Sequence, residues 1–200
     1  DYIEGLAADL AETEGDALAV PTDLRDPAAI RAGFEAVREA FGPVDVLVHN
    51  ASASGWSGLL EADPAGFDRA LDVGPRAALH TAREAVEDML QSDGGTIVST
   101  GATTSVRGRG GAIGFSAAKF AVRGMAESMA RELGPEGIHV AHVVLDGQIL
   151  PPDKGKTGPD RPREEYLDPD AIAESYWHLI EQDRSAWTLE LDLRPHVEEF

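Results

Sequence analysis

Val44-Asp45-Val46-Leu47-Val48-His49 is an almost unbroken apolar run. It is too short for a stable helix and rich in β-branched valine, so it predicts a strand buried on both faces, as strands of parallel sheets are. Gly42-Pro43 stops whatever precedes it. That is a helix over 27–41, in which Ile30, Phe34, Val37 and Phe41 share one face, with Asp26 as N-cap and Pro27 at the first helical position. Further upstream lie a short strand at Ala17–Val20, ended by Pro21, and an amphipathic helix over 1–14 with Ile3, Leu6, Ala7 and Leu10 on one side. Downstream, Asp63-Pro64 opens a helix running to Leu90, which Gly74-Pro75 is expected to break or kink. A strand at Thr96–Thr100, a Gly-rich loop over 101–111, a helix over 112–133 and a buried strand at Ile138–Leu145 follow. A loop over 146–167, a helix over 168–182 and a strand over 187–193 complete the chain. Strands alternating with helices predict an α/β fold, a parallel sheet covered on both faces, within one domain spanning 1–200. The Pro- and charge-rich stretch 151–165 reads as an internal loop or lid rather than a domain boundary.

Composition narrows the function. The 200 residues hold 36 Asp+Glu against 17 Lys+Arg, a net charge of −19. Phosphate is repelled by such a surface, so neither nucleic acid nor an anionic membrane is expected as a partner, and the charge reads as solubility. Apolar residues at 42% fit a globular domain. Zero cysteines exclude disulfides, thiolate chemistry and Cys-ligated metals. No apolar run approaches the roughly 20 residues of a membrane span, and no secretory leader pattern opens the sequence, so a cytoplasmic location is the expectation. His139 and His142 alternate across a strand and point to opposite faces, so no metal site is expected there. Glu164-Glu165 and Glu198-Glu199 read as solvated charge.

Several stretches together carry a resemblance. VDVLVHNAS at 44–52, VPTDLRDP at 20–27, GTIVSTGATTSVRG at 95–108 and FSAAKFAVRGMAESMARELGPEGIHVAHV at 115–143 resemble, in order and spacing, the short-chain dehydrogenase/reductase family. The resemblance covers about residues 1–150 and implies a Rossmann-like, doubly wound parallel sheet that binds NAD or NADP at the carboxyl ends of its strands. The sequence begins on Asp1, inside an amphipathic helix, and its register starts after the family's second strand. The expectation is therefore a piece of a longer chain, lacking the family's first two strands and the Gly-rich phosphate turn between them. Those strands would lie between 17–20 and 44–49. Two missing strands leave a gap of about 14 Å, so the two segments should face each other across an apolar seam, or the first should be displaced.

At the catalytic positions the chain departs from the family. The resemblance implies a Tyr hydroxyl as proton carrier, a Lys four residues on, a Ser that orients substrate and an Asn that holds a water. Tyr and Lys at that spacing share a helix face. Here Lys119 holds the Lys position, but Phe115 stands for the Tyr, Ala102 for the Ser and Gly74 for the Asn. Thr100, Thr103, Ser105 and Ser116 are the hydroxyls that could relocate the acid, although an unactivated hydroxyl is a poor proton donor at neutral pH. Lys119 is the expected contact to the nicotinamide ribose. The resemblance also implies Asn50, Ala51 and Ser52 on the adenosine side, Asp23 and Leu24 flanking adenine, and Gly147 with Ile149 at the carboxamide, Asp146-Gly147 standing where the family has Pro-Gly. Gly108 to Gly114 sits between strand and helix but does not spell G-x-G-x-x-G, because position 113 is Ile. Cofactor binding is thus expected only with the missing N-terminal part present. The reading is an NAD(P)-dependent oxidoreductase with an atypical or lost proton donor; the alternative is an inactive nucleotide-binding or oligomer-forming module. In either case a homo-oligomer through helices 64–90 and 112–133 is expected. The substrate is not encoded in any recognisable motif.

Overall fold

Three helices begin on the same Asp-Pro pair. Asp26, Asp63 and Asp168 each turn a side-chain oxygen onto the backbone N–H groups of the first turn. Proline occupies the first helical position, where a missing N–H costs nothing, and each cap is worth about 1 kcal/mol. In a computed structural model that describes residues 2–13, 15–53, 55–151 and 162–198, these starts set the frame. The helices are α1 (Tyr2–Ala11), α2 (Pro27–Phe41), α3 (Pro64–Leu71), α4 (Ala77–Met89), α5 (Ile113–Leu133) and α6 (Pro169–Ile180). The strands are β1 (Val46–His49), β2 (Gly95–Thr100), β3 (Ile138–Leu145), β4 (Gln148–Ile149), β5 (Tyr166–Leu167) and β6 (Glu190–Leu193).

Strands β1, β2, β3 and β6 form a parallel sheet in that order, and β4 pairs β5 in a second small parallel ladder. Side chains alternate across the sheet. On one face Leu47, Ile97, Ile138 and Val140 pack with Ala82, Ala85 and Met89 of α4 and Ala126 of α5. On the other, Val98, Ala141, Val143 and Leu145 pack with Leu179 and Tyr176 of α6. The first layer reaches β1, where Leu47 joins it; the second does not, and Val46 and Val48 stay 39% and 43% exposed.

The α/β parallel architecture thus appears as expected, with local corrections. The strand expected at Ala17–Val20 does not form, and residues 16–23 are without regular structure. A strand exists only where its N–H and C=O groups find a ladder, and no strand among the described residues pairs with this segment; β1 pairs only β2. A hollow of about 360 Å³ lined by Ile3, Val20, Thr22, Leu24, Ile30, Phe34 and Val37 lies beside this segment, but no β1 residue is among its lining, so it is not the seam expected between 17–20 and 44–49. The Gly74-Pro75 break appears as a single π-helical turn, Asp72–Arg76, between α3 and α4. The expected 146–167 loop contains β4, β5 and a short helical turn at Arg163–Glu165; positions 152–161 of the expected loop or lid lie outside the described residues. Among the described residues no helix is long and apolar enough to cross a membrane.

Candidate active site

The site assembles where β2 and β3 end. Helix α5 lies along the sheet with Ala118, Lys119, Val122 and Ala126 buried beneath it. Lys119 is therefore drawn into the interior, 6% exposed, and its Nζ donates to the Thr100 carbonyl oxygen at 2.7 Å. Burial disfavours the ammonium and pulls its pKa down to about 8. One helical turn earlier, Phe115 puts its ring centre 5.6 Å from that nitrogen, within cation–π range. Phe115 in turn leans on Trp56, ring centres 5.3 Å apart, and the Arg109 guanidinium covers Trp56. Where a Tyr hydroxyl would be expected there is an aromatic stack with no oxygen.

The other two altered positions are equally apolar. Ala102 opens a short turn in which its own N–H donates to the Ser105 hydroxyl at 3.0 Å, and Ser105 is wholly buried. Gly74 sits in the π turn against α5, where a Cβ would lie only 3.3 Å from that of Ala118.

Beneath these positions a polar row crosses the sheet: His49, Ser99, His142 and Glu190 are successive register partners on β1, β2, β3 and β6. Burial holds the His49 imidazole down to about 4, and the charge of Lys119 adds to the effect. His142 Nδ1 faces Glu190 Oε2 at 3.1 Å, and the same oxygen accepts from Arg123 Nε at 2.6 Å. Burial lowers the pKa of His142 as well, against the pull of Glu190. Its Nε2 has no hydrogen-bond partner among the described residues. A Cβ on Gly101 would stand 2.3 Å from that nitrogen, so this position admits no side chain.

The four candidate hydroxyls part company. Thr100 Oγ1 meets the Tyr176 hydroxyl at 2.9 Å, on the α6 side of the sheet. Ser116 Oγ accepts only a long bond from the Arg109 N–H. Ser105 turns inward. Thr103 alone among them lines an open cleft of about 540 Å³, shared with Arg107, Arg109, Gly147 and Gln148. Its Oγ1 donates to Asp146 Oδ1 at 2.5 Å. Asp146 is 2% exposed, with Arg107 at 3.3 Å and Arg194 at 3.5 Å from its Oδ2.

The expected cofactor contacts are not gathered in one place. Gly147 lines the cleft, and Ile149 is exposed nearby in β4. Asn50 and Ser52 are exposed and Ala51 half-buried just past β1. Asp23 is exposed in a turn, and hydrogen bonds from Arg25 hold its carboxyl at about 2. Leu24 lines the apolar hollow, which shares no lining residue with the cleft. Sequence reasoning missed the Thr103–Asp146 bond, the Trp56–Phe115 stack and Tyr176 on Thr100. Each joins residues more than 40 positions apart, and no local pattern announces such a contact.

This architecture has many relatives. The family model for short chain dehydrogenases matches residues 1–149. A 3alpha-hydroxysteroid dehydrogenase of Mediterraneibacter gnavus is 36% identical over 117 residues, covering 58% of this chain and 47% of that protein. The crystal structure of a short-chain dehydrogenase from Rhodopseudomonas palustris, 33% identical, superposes with a TM-score of 0.81 over 98% of this chain and 82% of that one. An alcohol dehydrogenase from Thermococcus sibiricus, solved with 5-hydroxy-NADP, is 23% identical with a TM-score of 0.83 over 98% of this chain and 82% of its own, a likeness of fold alone. The chain spans about half the length of the curated relatives it matches. With a family model matching residues 1–149 of its 200, the chain belongs to the short-chain dehydrogenase family.

Proposed function

We propose that this chain carries the nicotinamide and substrate side of an NAD(P)-dependent oxidoreductase. The observation that carries the reading is Lys119: a buried ammonium at the end of β2, spending one N–H on the Thr100 carbonyl. A buried cation holding a single hydrogen bond has donors to offer a ligand. Lys119 would hold the ribose hydroxyls, while Gly147 and Gln148 line the cleft beside the carboxamide. When bound, the nicotinamide ring supplies the hydride acceptor or donor. The residues present fit this half of the dinucleotide; a strand–G-x-G-x-x-G–helix cradle for the pyrophosphate does not occur in the sequence.

What the chain does with a proton follows from its side chains. Phe115, Ala102 and Gly74 offer no donor, so the ordinary phenol-centred transfer has no group to perform it. The aromatic stack of Trp56 and Phe115 instead sets apolar surface against the Lys119 ammonium. NADH and NADPH titration followed by fluorescence, for a protein carrying the pyrophosphate cradle upstream of this chain and for Lys119→Met in it, tests the reading. Binding that weakens about tenfold or more in the variant supports it; a K119M protein that binds as tightly refutes the ribose role. Phe115→Tyr with Ala102→Ser is expected to raise turnover of simple carbonyls. A protein so completed that binds neither nucleotide would be the inert module instead. Leu79 on α4 and Phe120 on α5 are exposed at 47% and 43%, which supports a homo-oligomer through these helices, read directly by light scattering.

A further inference from the structure

We infer that Arg107 and Arg109, on one wall of the cleft, form a carboxylate receptor, and that the substrate of this site carries a carboxylate group. The inference rests on the oxidoreductase reading and names the substrate class of the same site.

The wall reads Arg107-Gly108-Arg109-Gly110. The two glycines add no side chain, and a Cβ on either would meet nothing within 4 Å. Two guanidinium heads and bare backbone are therefore all that this stretch presents to the cleft. The N–H groups of Gly108 and Gly110 donate to no backbone oxygen among the described residues, which leaves them as further donors to an anion.

The two heads are aimed by different means. A guanidinium has five N–H donors and keeps its charge at any ordinary pH. Arg107 spends a single nitrogen on side chains of the protein: its Nη2 lies 3.3 Å from both oxygens of Asp146, a buried carboxylate. That contact fixes the direction of the head, while the side chain stays 48% exposed. Its Nε and Nη1 have no partner among the described residues, so N–H groups remain for a ligand. Arg109 is steered by an aromatic face instead, its guanidinium carbon 5.6 Å from the Trp56 ring centre. No acidic residue pairs with Arg109 among the described residues.

The surroundings decide which anion fits. Among the described residues Glu198 is the one acidic side chain on the lining, and it is attracted to Arg194 rather than to this wall. A planar carboxylate takes two N–H groups at once from a planar guanidinium, and such charge-assisted bonds are roughly twice as strong as neutral ones. A neutral ligand forgoes that gain. A phosphate carrying close to two charges meets more repulsion than a carboxylate from a chain whose net charge is −19. The singly charged, planar group is the best match.

The test titrates cyclohexanecarboxylate, its neutral counterpart cyclohexanecarboxamide and inorganic phosphate into the full chain, followed by NMR at low salt. The carboxylate is expected to bind about fivefold or more tightly than either of the others. Arg107→Gln should weaken the carboxylate about tenfold and leave the amide within roughly twofold. Arg107→Lys keeps the charge and loses the planar head, so it should recover only part of that loss. Arg109→Gln, which leaves the buried Asp146 contact alone, should weaken the carboxylate about threefold, and it carries the test if thermal melting shows that R107Q does not fold. Equal binding of carboxylate and amide, unchanged carboxylate binding in R109Q and in a folded R107Q, or failure of every probe to bind overturns the inference. Full recovery in R107K, or phosphate binding more tightly than the carboxylate, overturns the carboxylate assignment. NADH is titrated separately into a protein carrying the pyrophosphate cradle upstream. Absence of binding there sinks the oxidoreductase reading instead, and the carboxylate-to-amide ratio still reports on the arginines.

Discussion

Strands β1 and β3 carry similar sequences and live in different surroundings. VLVH at 46–49 and IHVAHVVL at 138–145 are both β-branched runs punctuated by histidine. Every residue of β3 is buried, whereas Val46 and Val48 of β1 remain exposed. The cause is position. Strand β3 has β2 and β6 as neighbours, with helices over both faces. Among the described residues strand β1 has one neighbour and is covered on the α4/α5 side only. Apolar sequence therefore states what a strand can bury, and the neighbours decide what it does bury.

The largest effect should come from charging the two strands in turn. Val140→Asp places a carboxylate in the Met89–Ile97–Ile138 cluster with no partner, and should cost about 4 kcal/mol or more. Val48→Asp, on the open side of β1, should cost under about 1 kcal/mol. Urea unfolding of both variants checks the contrast. Equal losses would mean that the exposed side of β1 is covered in solution.

Next comes the close approach over β3. Gly101→Ala would drive a methyl into His142 Nε2, and the loss should be about 2–3 kcal/mol. Because the clash is with a side-chain tip, His142→Ala in the same protein should return much of it. A double-mutant cycle measures the coupling. Additive losses would place the strain in the backbone at 101 instead.

These contacts show where sequence reading stops. The order of helices and strands was legible because caps, Gly-Pro stops and hydrophobic period are local signals: Asp26-Pro27, Asp63-Pro64 and Asp168-Pro169 each announce a helix start. The strand at 17–20 was misread because Leu18, Ala19 and Val20 satisfy the composition of a strand but have no ladder partner. At the site, Lys119 and the loss of the phenol were visible in Phe-x-x-x-Lys. Which hydroxyl reaches the cleft was not, because Thr103, Ser105 and Ser116 lie within one short stretch, and only Asp146, on another strand's end, separates them.

His49 sharpens the comparison from inside β1, since it is the one residue of that strand buried as deeply as β3. Its imidazole pKa is held at about 4, below the ordinary 6.5. Between these values the unfolded chain binds the proton and the folded chain does not, so stability falls as pH drops from about 6.5 to 4. The magnitude is about 3 kcal/mol. Lys119 gives the same sign at the other end: with its folded pKa near 8 against 10.5, stability rises as pH climbs through that window. Urea midpoints at pH 5 and 7 should differ less in His49→Gln than in the parent. An NMR titration placing His49 near 6.5 contradicts its burial.

The smallest effect is the most telling for the open side of β1. Val48 is 43% exposed, on the face that α6 leaves uncovered. Replacing it with Lys removes apolar surface that is already partly wet and lets the long side chain run along the sheet into solvent. The cost should stay within about 0.5 kcal/mol. An unpaired strand edge with exposed valines is also a template for pairing with other chains, and a lysine there opposes such pairing. Val48→Lys should therefore leave the melting temperature nearly unchanged while reducing concentration-dependent association. A melting temperature that drops by several degrees would instead show that Val48 packs against something that confers stability, and β1 would then be as enclosed in solution as β3.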